Sequence, residues 1–136
     1  MKAISLRAFP DSMTWKDCIE VCRDIGYDGI EINFDGDKNL KIDCSVKILK
    51  EIKKVVELNN ISVVSVYSRQ QWLNPISSNK KEIREKGKKV ILRLIEISEI
   101  LDSPSILTIP GAVDTSLLSQ ESEIIDYKKA YERVKE

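Results

Sequence analysis

The stretch Ile25-Gly26-Tyr27-Asp28-Gly29-Ile30-Glu31-Ile32-Asn33 joins the end of a helix to a complete strand. Gly26 follows apolar residues spaced three and four apart, and a glycine at that place commonly forms the left-handed cap of a helix. The residues from Gly29 onward then form a short, mostly apolar run that is typical of a buried strand. We therefore expect a helix that ends at Gly26 and a strand over 29–33.

The residues before this stretch predict another strand and the start of the same helix. Lys2 to Leu6 form a short apolar run. Thr14 and Asp17 are spaced as a capping box, in which each side chain accepts a hydrogen bond from the backbone of the other. The helix should therefore begin near Trp15.

The residues after it repeat the pattern. Apolar periodicity predicts a helix from Val46 to Leu58, and the β-branched run from Ile61 to Tyr67 predicts a strand. A longer helix is expected near Asn79 to Leu101, followed by a strand from Ser105 to Ile109. A last helix should start at Tyr127.

Strands that alternate with helices require a parallel sheet with right-handed crossovers. Two architectures fit four such units, an open doubly wound sheet and half of an eight-stranded barrel with its helices outside. The pattern alone does not choose between them. The length of 136 residues predicts a single domain in either case.

The composition excludes several classes of function. Basic and acidic residues balance at 22 each, so no overall field favours nucleic acid or an anionic membrane. We find no signal peptide and no apolar stretch of membrane-spanning length, and the three cysteines form no disulfide pattern, so we expect a cytoplasmic protein without a membrane partner. Histidine is absent, which excludes a Ser-His or Cys-His nucleophile pair within this chain.

Four motifs carry a family resemblance. They are the run 25–32, Asn74-Pro75, Arg84, and Leu107-Thr108-Ile109-Pro110-Gly111. In this order they resemble the xylose isomerase-like TIM barrel superfamily, which includes sugar phosphate isomerases and epimerases and the endonuclease IV-like proteins of AP endonuclease family 2. The resemblance implies an α/β fold in which residues 1–136 form the N-terminal (βα)4 half of a barrel, truncated in the fourth helix.

The resemblance also implies which parts of the active site this chain lacks. Relatives take their metal ligands from strands five to eight, so we expect neither a catalytic residue nor a metal ligand here, and no cofactor in this chain. A complete relative would hold a divalent metal such as Mn, Mg, Co or Zn. Ile109 stands where endonuclease IV-like members place a histidine before Pro-Gly, which weakens the nuclease interpretation, and Asp102-Ser103 replaces a usual Leu-Gly.

The active site of a barrel lies at the carboxyl ends of its strands. Five residues at those ends are candidates for substrate binding: Glu31, Asn33, Tyr67, Arg69 and Trp72. A carboxylate can bind sugar hydroxyls, a guanidinium suits phosphate, and an aromatic ring can stack on a sugar. The structural alternative for Glu31 is an ion pair with Arg7 or Arg69, and the alternative for the aromatic residues is a place in the core or at the barrel rim.

Two other groups of residues receive structural interpretations. Cys18 and Cys22 share a helix face, where core packing explains them better than an incomplete metal site. The basic side chains of the long helix are expected on its solvated outer face, so nucleic acid is an unlikely partner. They are Lys80, Lys81, Arg84, Lys86, Lys88 and Lys89.

Three functional hypotheses follow. The first is a fragment of a metal-dependent sugar or sugar phosphate isomerase or epimerase that is inactive alone. The second is a non-catalytic half barrel that forms a homodimer, because an isolated half barrel leaves two strand edges unpaired. The third is a small open α/β binding domain, although no glycine-rich phosphate loop follows the first strand.

Overall fold

The computed structural model describes residues 1–116 and 123–136. These residues form two compact units. The first consists of Met1–Ser68 and Leu94–Leu107, and the second of Arg69–Arg93 and Thr108–Glu136. All three strands lie in the first unit.

The sheet of the first unit contains β1 (Ala3–Ser5), β2 (Gly29–Asn33) and β3 (Ser62–Tyr67). The strands are parallel and follow the order β1-β2-β3. Residue Ile106 then forms a parallel bridge with Val66 of β3, so the fourth segment lies beside the third strand. In a doubly wound sheet the strand order reverses at one point, so the four strands do not lie side by side in the order of the sequence. The open-sheet alternative is therefore wrong.

The predicted fourth strand is reduced to this single bridge. Val66 donates to the carbonyl of Ser105 at 3.3 Å and accepts from the amide of Leu107 at 2.9 Å. Two prolines, Pro104 and Pro110, flank the segment, and proline cannot donate to a strand ladder. In the second unit the amide of Ile109 donates to the Gln71 side chain at 2.9 Å rather than to a strand.

Two helices cover one face of the sheet. α1 (Trp15–Asp24) contacts β2, and α2 (Val46–Leu58) contacts β3. Their apolar faces are buried at Cys18, Ile19, Cys22, Leu49, Ile52 and Val56, and the strands bury Ile30, Ile32, Val63 and Val66. The C-terminal part of α4 (Lys81–Ile100), which belongs to this unit from Leu94 onward, buries Leu94 and Ile97 completely.

The opposite side of the sheet is partly exposed. Ser5, Glu31 and Ser65 are aligned across it by the strand register. Because side chains alternate along a strand, Ala3 lies on the same side, and so does Leu107, which neighbours Ile106. We call this side, defined by Ala3, Ser5, Glu31, Ser65 and Leu107, the Glu31 face.

The helices of the first unit end in the same way. Gly26 has a φ of 78°, Asn60 of 54° and Asp102 of 52°. After α1, the Tyr27 amide donates to Cys22 O and the Gly26 amide to Arg23 O, both at 3.0 Å. These two bonds form a Schellman motif, so the predicted cap at Gly26 is confirmed.

The second unit contains α3 (Gln70–Leu73), the first part of α4, and α5 (Tyr127–Lys135). α4 begins at Lys81 rather than near Asn79. The Asn79 amide donates to the Glu123 carboxylate at 2.7 Å, so this backbone group is bound by a side chain before the helix starts. Among the helices of residues 1–116 and 123–136, none is long and apolar enough to cross a membrane.

Candidate functional site

Glu31 is the central residue of β2, two residues before its carboxyl end, and is partly exposed on the Glu31 face. Ser5 and Ser65 are its neighbours on the flanking strands. Its carboxylate forms neither a hydrogen bond nor an ion pair with any residue in the described part of the chain. Of the structural alternatives, an ion pair with Arg7 is therefore not found among the described residues, and Arg69 lies in the second unit.

Asn33 lies two residues further along β2 and is only 1% exposed. Its Oδ1 accepts a hydrogen bond from the Ser5 hydroxyl at 3.1 Å. Its Nδ2 is buried and has no hydrogen-bond partner among the described residues. A buried donor left without a partner costs about 1–3 kcal/mol, so a ligand oxygen that accepted from Nδ2 would recover part of that free energy.

Tyr67 lies at the end of β3, aligned with Asn33, and is 8% exposed. Its carbonyl accepts from the Phe34 amide at 2.9 Å, which continues the contact of the two strands past their ends. The ring is thus largely buried, whereas the carboxylate of Glu31 is accessible. The structure brings Glu31, Asn33 and Tyr67 together at one end of one sheet.

Sequence reasoning missed an acidic residue at this end. The side chain of Asp35 is 0% exposed, and one of its oxygens lies 3.8 Å from Nη1 of Arg7. The Ser68 hydroxyl lies 3.1 Å from the Asp35 carboxylate and 3.1 Å from the carbonyl of Phe34. Asp35 is the second residue after β2, and that position was a signal for a strand-end residue.

Lys38 joins the loops that follow β1 and β2. Its Nζ donates to the carbonyl of Pro10 at 2.7 Å and to that of Phe9 at 3.2 Å. Its backbone has a φ of 52°, a left-handed conformation that is unusual for lysine. The two bonds to carbonyls stabilise this conformation.

The other two predicted residues lie in the second unit. Arg69 is exposed and precedes α3. Trp72 is partly buried and contributes to the wall of a cavity of about 560 Å³. The wall also includes Pro110, Gly111, Val113, Tyr127 and Tyr131, and the two tyrosine rings stack with centroids 6.3 Å apart. Arg69 is not part of this wall.

A polar cluster holds the loop before α4. The Arg133 guanidinium donates to the carbonyls of Ser77 and Ser78 at 2.8 and 3.0 Å. Burial alone would raise the pKa of Glu123, but the hydrogen bonds from the Ser78 hydroxyl and the Asn79 amide outweigh it and lower that pKa. These contacts have a structural role, because they hold the backbone of residues 77–79 in place.

The basic residues of α4 also have a structural explanation. Lys80, Lys81, Lys86 and Lys89 are exposed. Arg84 instead turns to the backbone, and its Nη1 donates to the Ser78 carbonyl at 2.9 Å. The prediction of a solvated face therefore holds for the four exposed lysines.

The cysteines pack in the core. Cys18 and Cys22 are both 0% exposed, as their place on the apolar face predicts. Burial raises the pKa of the Cys22 thiol to about 11. Throughout residues 1–116 and 123–136, no three His, Cys, Asp or Glu side chains are arranged to hold a metal ion. The described residues therefore do not fit the divalent metal that the resemblance implies for complete relatives.

Comparison with solved structures supports the barrel fold. The chain matches a D-psicose 3-epimerase crystallised in the presence of D-fructose, with a TM-score of 0.75 and 22% identity over 98% of this chain. It matches a D-psicose 3-epimerase with D-tagatose from Clostridium cellulolyticum H10 equally well, with a TM-score of 0.75 and 21% identity. The chain spans only 45% of the length of each of these proteins.

Comparison with known sequences and family models identifies the family of this chain. No curated protein matches the chain. A model of the xylose isomerase-like TIM barrel family, however, matches residues 19–136. This match covers most of the chain and includes β2, β3 and all the candidate residues, and the strand order agrees with about half of a barrel. The chain therefore belongs to the xylose isomerase-like TIM barrel family.

Proposed function

We propose that residues 1–136 supply one part of a sugar or sugar phosphate isomerase or epimerase barrel, namely a wall that binds the substrate. One observation carries the proposal: Glu31, two residues before the end of β2, presents a carboxylate that has no partner in the described part of the chain. In barrels of this architecture the strand ends form the active site. The two similar epimerases were crystallised with ketoses, which supports a sugar as the ligand.

The proposed roles follow from the chemistry of each side chain. Glu31 accepts hydrogen bonds from sugar hydroxyls, and the buried Nδ2 of Asn33 donates to a sugar oxygen. Tyr67 forms the apolar floor beside Asn33. For the second unit taken by itself, we propose that Arg69 binds a phosphate group and that Trp72 offers an aromatic face to a sugar.

Binding is tested by titrating the protein with D-fructose and D-tagatose while recording amide chemical shifts. We expect Glu31→Gln to weaken binding at least about fivefold, because hydrogen bonds to charged groups contribute about 1.5–3 kcal/mol. Glu20→Gln, which removes an exposed carboxylate on α1, is the matched control and should leave the affinity unchanged. Equal effects of the two variants, or no binding by the unmodified chain, would contradict the proposal.

We further propose that this polypeptide alone does not turn over a sugar. The described residues provide no set of three metal ligands, so no catalytic step is assigned to them. The test is incubation of the pure protein with D-fructose or D-tagatose and with Mn²⁺, Mg²⁺, Co²⁺ or Zn²⁺. Epimerisation above a no-protein control would overturn this part of the proposal.

A second candidate function is a non-catalytic half barrel that forms a homodimer. It is supported by the edges of the sheet, since β1 pairs only with β2, and Ile106 only with β3, in the described part of the chain. Exposed parallel edges favour association. Light scattering should then give twice the 15.5 kDa of one chain, and a monomeric mass would count against it.

A further inference from the structure

Arg7 lies just beyond the carboxyl end of β1, and its side chain extends to a residue that follows β2. Its Nη1 lies 3.8 Å from a carboxylate oxygen of Asp35, whose side chain is 0% exposed, while the Arg7 side chain is 46% exposed. Arg7 belongs to a short turn, Leu6–Ala8, that buries Leu6 and so holds the backbone of Arg7 against the first unit. The guanidinium is therefore anchored beside the end of β2 and is still half exposed.

The ion pair with Asp35 does not use the hydrogen-bond donors of Arg7. A separation of 3.8 Å exceeds the distance of a hydrogen bond. Throughout residues 1–116 and 123–136, the guanidinium forms no other ion pair and no hydrogen bond. An arginine side chain carries five N–H donors in a planar fork. Asp35 thus holds in place a fork of donors that lack an intramolecular acceptor in the described part of the chain.

The side-chain amide of Asn33 provides a second donor in the same cluster. Ser5 connects the two residues, since its hydroxyl accepts from the Arg7 backbone amide at 3.4 Å and donates to Oδ1 of Asn33 at 3.1 Å. Asn33 is 1% exposed, and its Nδ2 has no hydrogen-bond partner among the described residues. A buried donor in this state favours a ligand oxygen that can accept. We call Ser5, Arg7 and Asn33 the Arg7 cluster.

We propose that the Arg7 cluster binds an oxyanion of the substrate, either a phosphate or a carboxylate group, and that Arg7 selects anionic over neutral sugars. The planar guanidinium matches two oxygens of such a group, and charge-assisted bonds of this kind are about twice as strong as bonds between neutral groups. Nδ2 of Asn33 donates to an oxygen at the same end of the substrate. This inference rests on the proposed sugar-binding function and adds the charge of the substrate to it.

The order of polar groups along β2 assigns an orientation to the substrate. Glu31 precedes Asn33 by two residues, which corresponds to about 7 Å along a strand. The Glu31 carboxylate accepts from hydroxyl groups, whereas Nδ2 of Asn33 and the Arg7 fork only donate. The hydroxyl groups therefore face Glu31, and the anionic group lies beyond the end of the strand. Because Arg7 also balances the charge of Asp35, its directed hydrogen bonds rather than a net charge recognise the anion.

Titration of the whole chain with two pairs of sugars tests the proposal. D-fructose 6-phosphate is compared with D-fructose, and D-glucuronate with D-glucose, while dissociation constants and amide chemical shifts are recorded. We expect at least one charged sugar to bind at least about tenfold more tightly than its neutral parent, because hydrogen bonds to charged groups are the stronger ones. The additional shift changes should lie at residues 5–8 and 33–36. The pair that shows the gain distinguishes a phosphate from a carboxylate ligand.

Two substitutions of Arg7 separate its fork from its charge. Arg7→Lys keeps a positive charge without the planar fork and should reduce the affinity ratio of the pair at least about threefold, because a point charge lacks the bidentate geometry. Arg7→Gln should abolish the ratio. The ratio is the readout because a general loss of folding weakens both sugars of a pair alike. Lys50→Gln, at an exposed residue of α2, is the control and should leave the ratio unchanged.

Equal affinities within both pairs, or a ratio that neither substitution of Arg7 changes, would overturn the inference. Anion-dependent shift changes confined to residues 69–73 would also overturn it, because Arg69 of the second unit would then bind the anion. Binding of D-fructose that depends on Glu31, without a gain for either charged sugar, would retain the proposed function and reject the anion site. Inorganic phosphate that shifts residues 5–8, without binding of any sugar, would retain the anion site and reject the proposed function.

Discussion

The Ser5 hydroxyl on β1 donates a 3.1 Å hydrogen bond to Oδ1 of Asn33 at the end of β2. This bond fixes the amide whose Nδ2 is buried and has no hydrogen-bond partner in the part of the chain that the structure describes. Ser5→Ala should lower the free energy of unfolding by about 1 kcal/mol, because it removes the donor to Oδ1 of Asn33 and the acceptor of the Arg7 amide. Urea denaturation measures this change. Ser62→Ala, on the exposed start of β3, is the control and should have a smaller effect.

Replacing both Ser5 and Asn33 by apolar residues should raise the free energy of unfolding above that of Ser5→Ala. In Ser5→Ala/Asn33→Leu the unsatisfied amide is gone, and removal of both polar groups can be close to neutral. We expect the double variant to regain most of the stability lost in Ser5→Ala, while sugar binding is lost. Urea denaturation could instead show that the double variant is less stable than Ser5→Ala. The side-chain amide of Asn33 would then have a stabilising partner in the folded chain, which contradicts the expectation.

Two glycines should respond differently to alanine. At Gly87 on α4, a Cβ would collide with the carbonyl oxygen of Asn74 and lie 2.9 Å from Cγ2 of Ile76. At Gly26 a Cβ meets no atom within 4 Å, but the φ of 78° disfavours alanine. We expect losses of about 3 kcal/mol for Gly87→Ala and about 1 kcal/mol for Gly26→Ala. Equal losses by chemical denaturation would contradict this steric argument.

The capping box of α1 should make stability depend on acid. The hydrogen bond from the Thr14 backbone, followed by that from its hydroxyl, lowers the pKa of Asp17 from 3.8. The stabilisation is therefore complete above that unfolded value and is lost as the pH falls through the lower folded value. Asp17→Asn should reduce the loss of thermal stability between about pH 5 and pH 2, and thermal unfolding at several pH values measures this change.

The Cys22 thiol should be unreactive in the folded chain. Burial, with a smaller contribution from Cys18, raises its pKa to about 11, so little thiolate exists near pH 8. A thiol reagent should modify Cys22 only after unfolding in urea, as mass spectrometry of peptides would show. A cysteine placed at the exposed Ser62 should react at once. Rapid modification of Cys22 without denaturant would mean that this core opens locally.

Most of the fold could be predicted from local patterns. Apolar periodicity located α1, α2 and the three strands, and the Thr14-Asp17 spacing correctly predicted a capping box. The extent of the fourth strand could not be predicted, because the Gln71 side chain binds the Ile109 amide and that contact is distant in sequence. The left-handed backbone conformation of Asp102, after the end of α4, could not be predicted either. Aspartate is not the usual residue at such a helix cap.

The candidate site was only partly visible in the sequence. The position of Glu31 in an apolar strand marked it as a candidate carboxylate, and across residues 1–116 and 123–136 that carboxylate has no intramolecular partner. The burial of Asn33 and its bond to Ser5 depend on the register of two strands, which composition does not reveal. Asp35 was not predicted as a site residue because it lies in a polar stretch of sequence. Such a stretch does not reveal whether one of its carboxylates is buried.

The Lys38 ammonium group has a mechanical consequence for the rim of the first unit. Because it bonds to the carbonyls of Phe9 and Pro10, the loop after β2 is tied to the loop after β1. Neither loop can swing outward without breaking both bonds or carrying the other with it. The two segments should therefore fluctuate as a coupled pair, with one common opening rate at this end of the sheet.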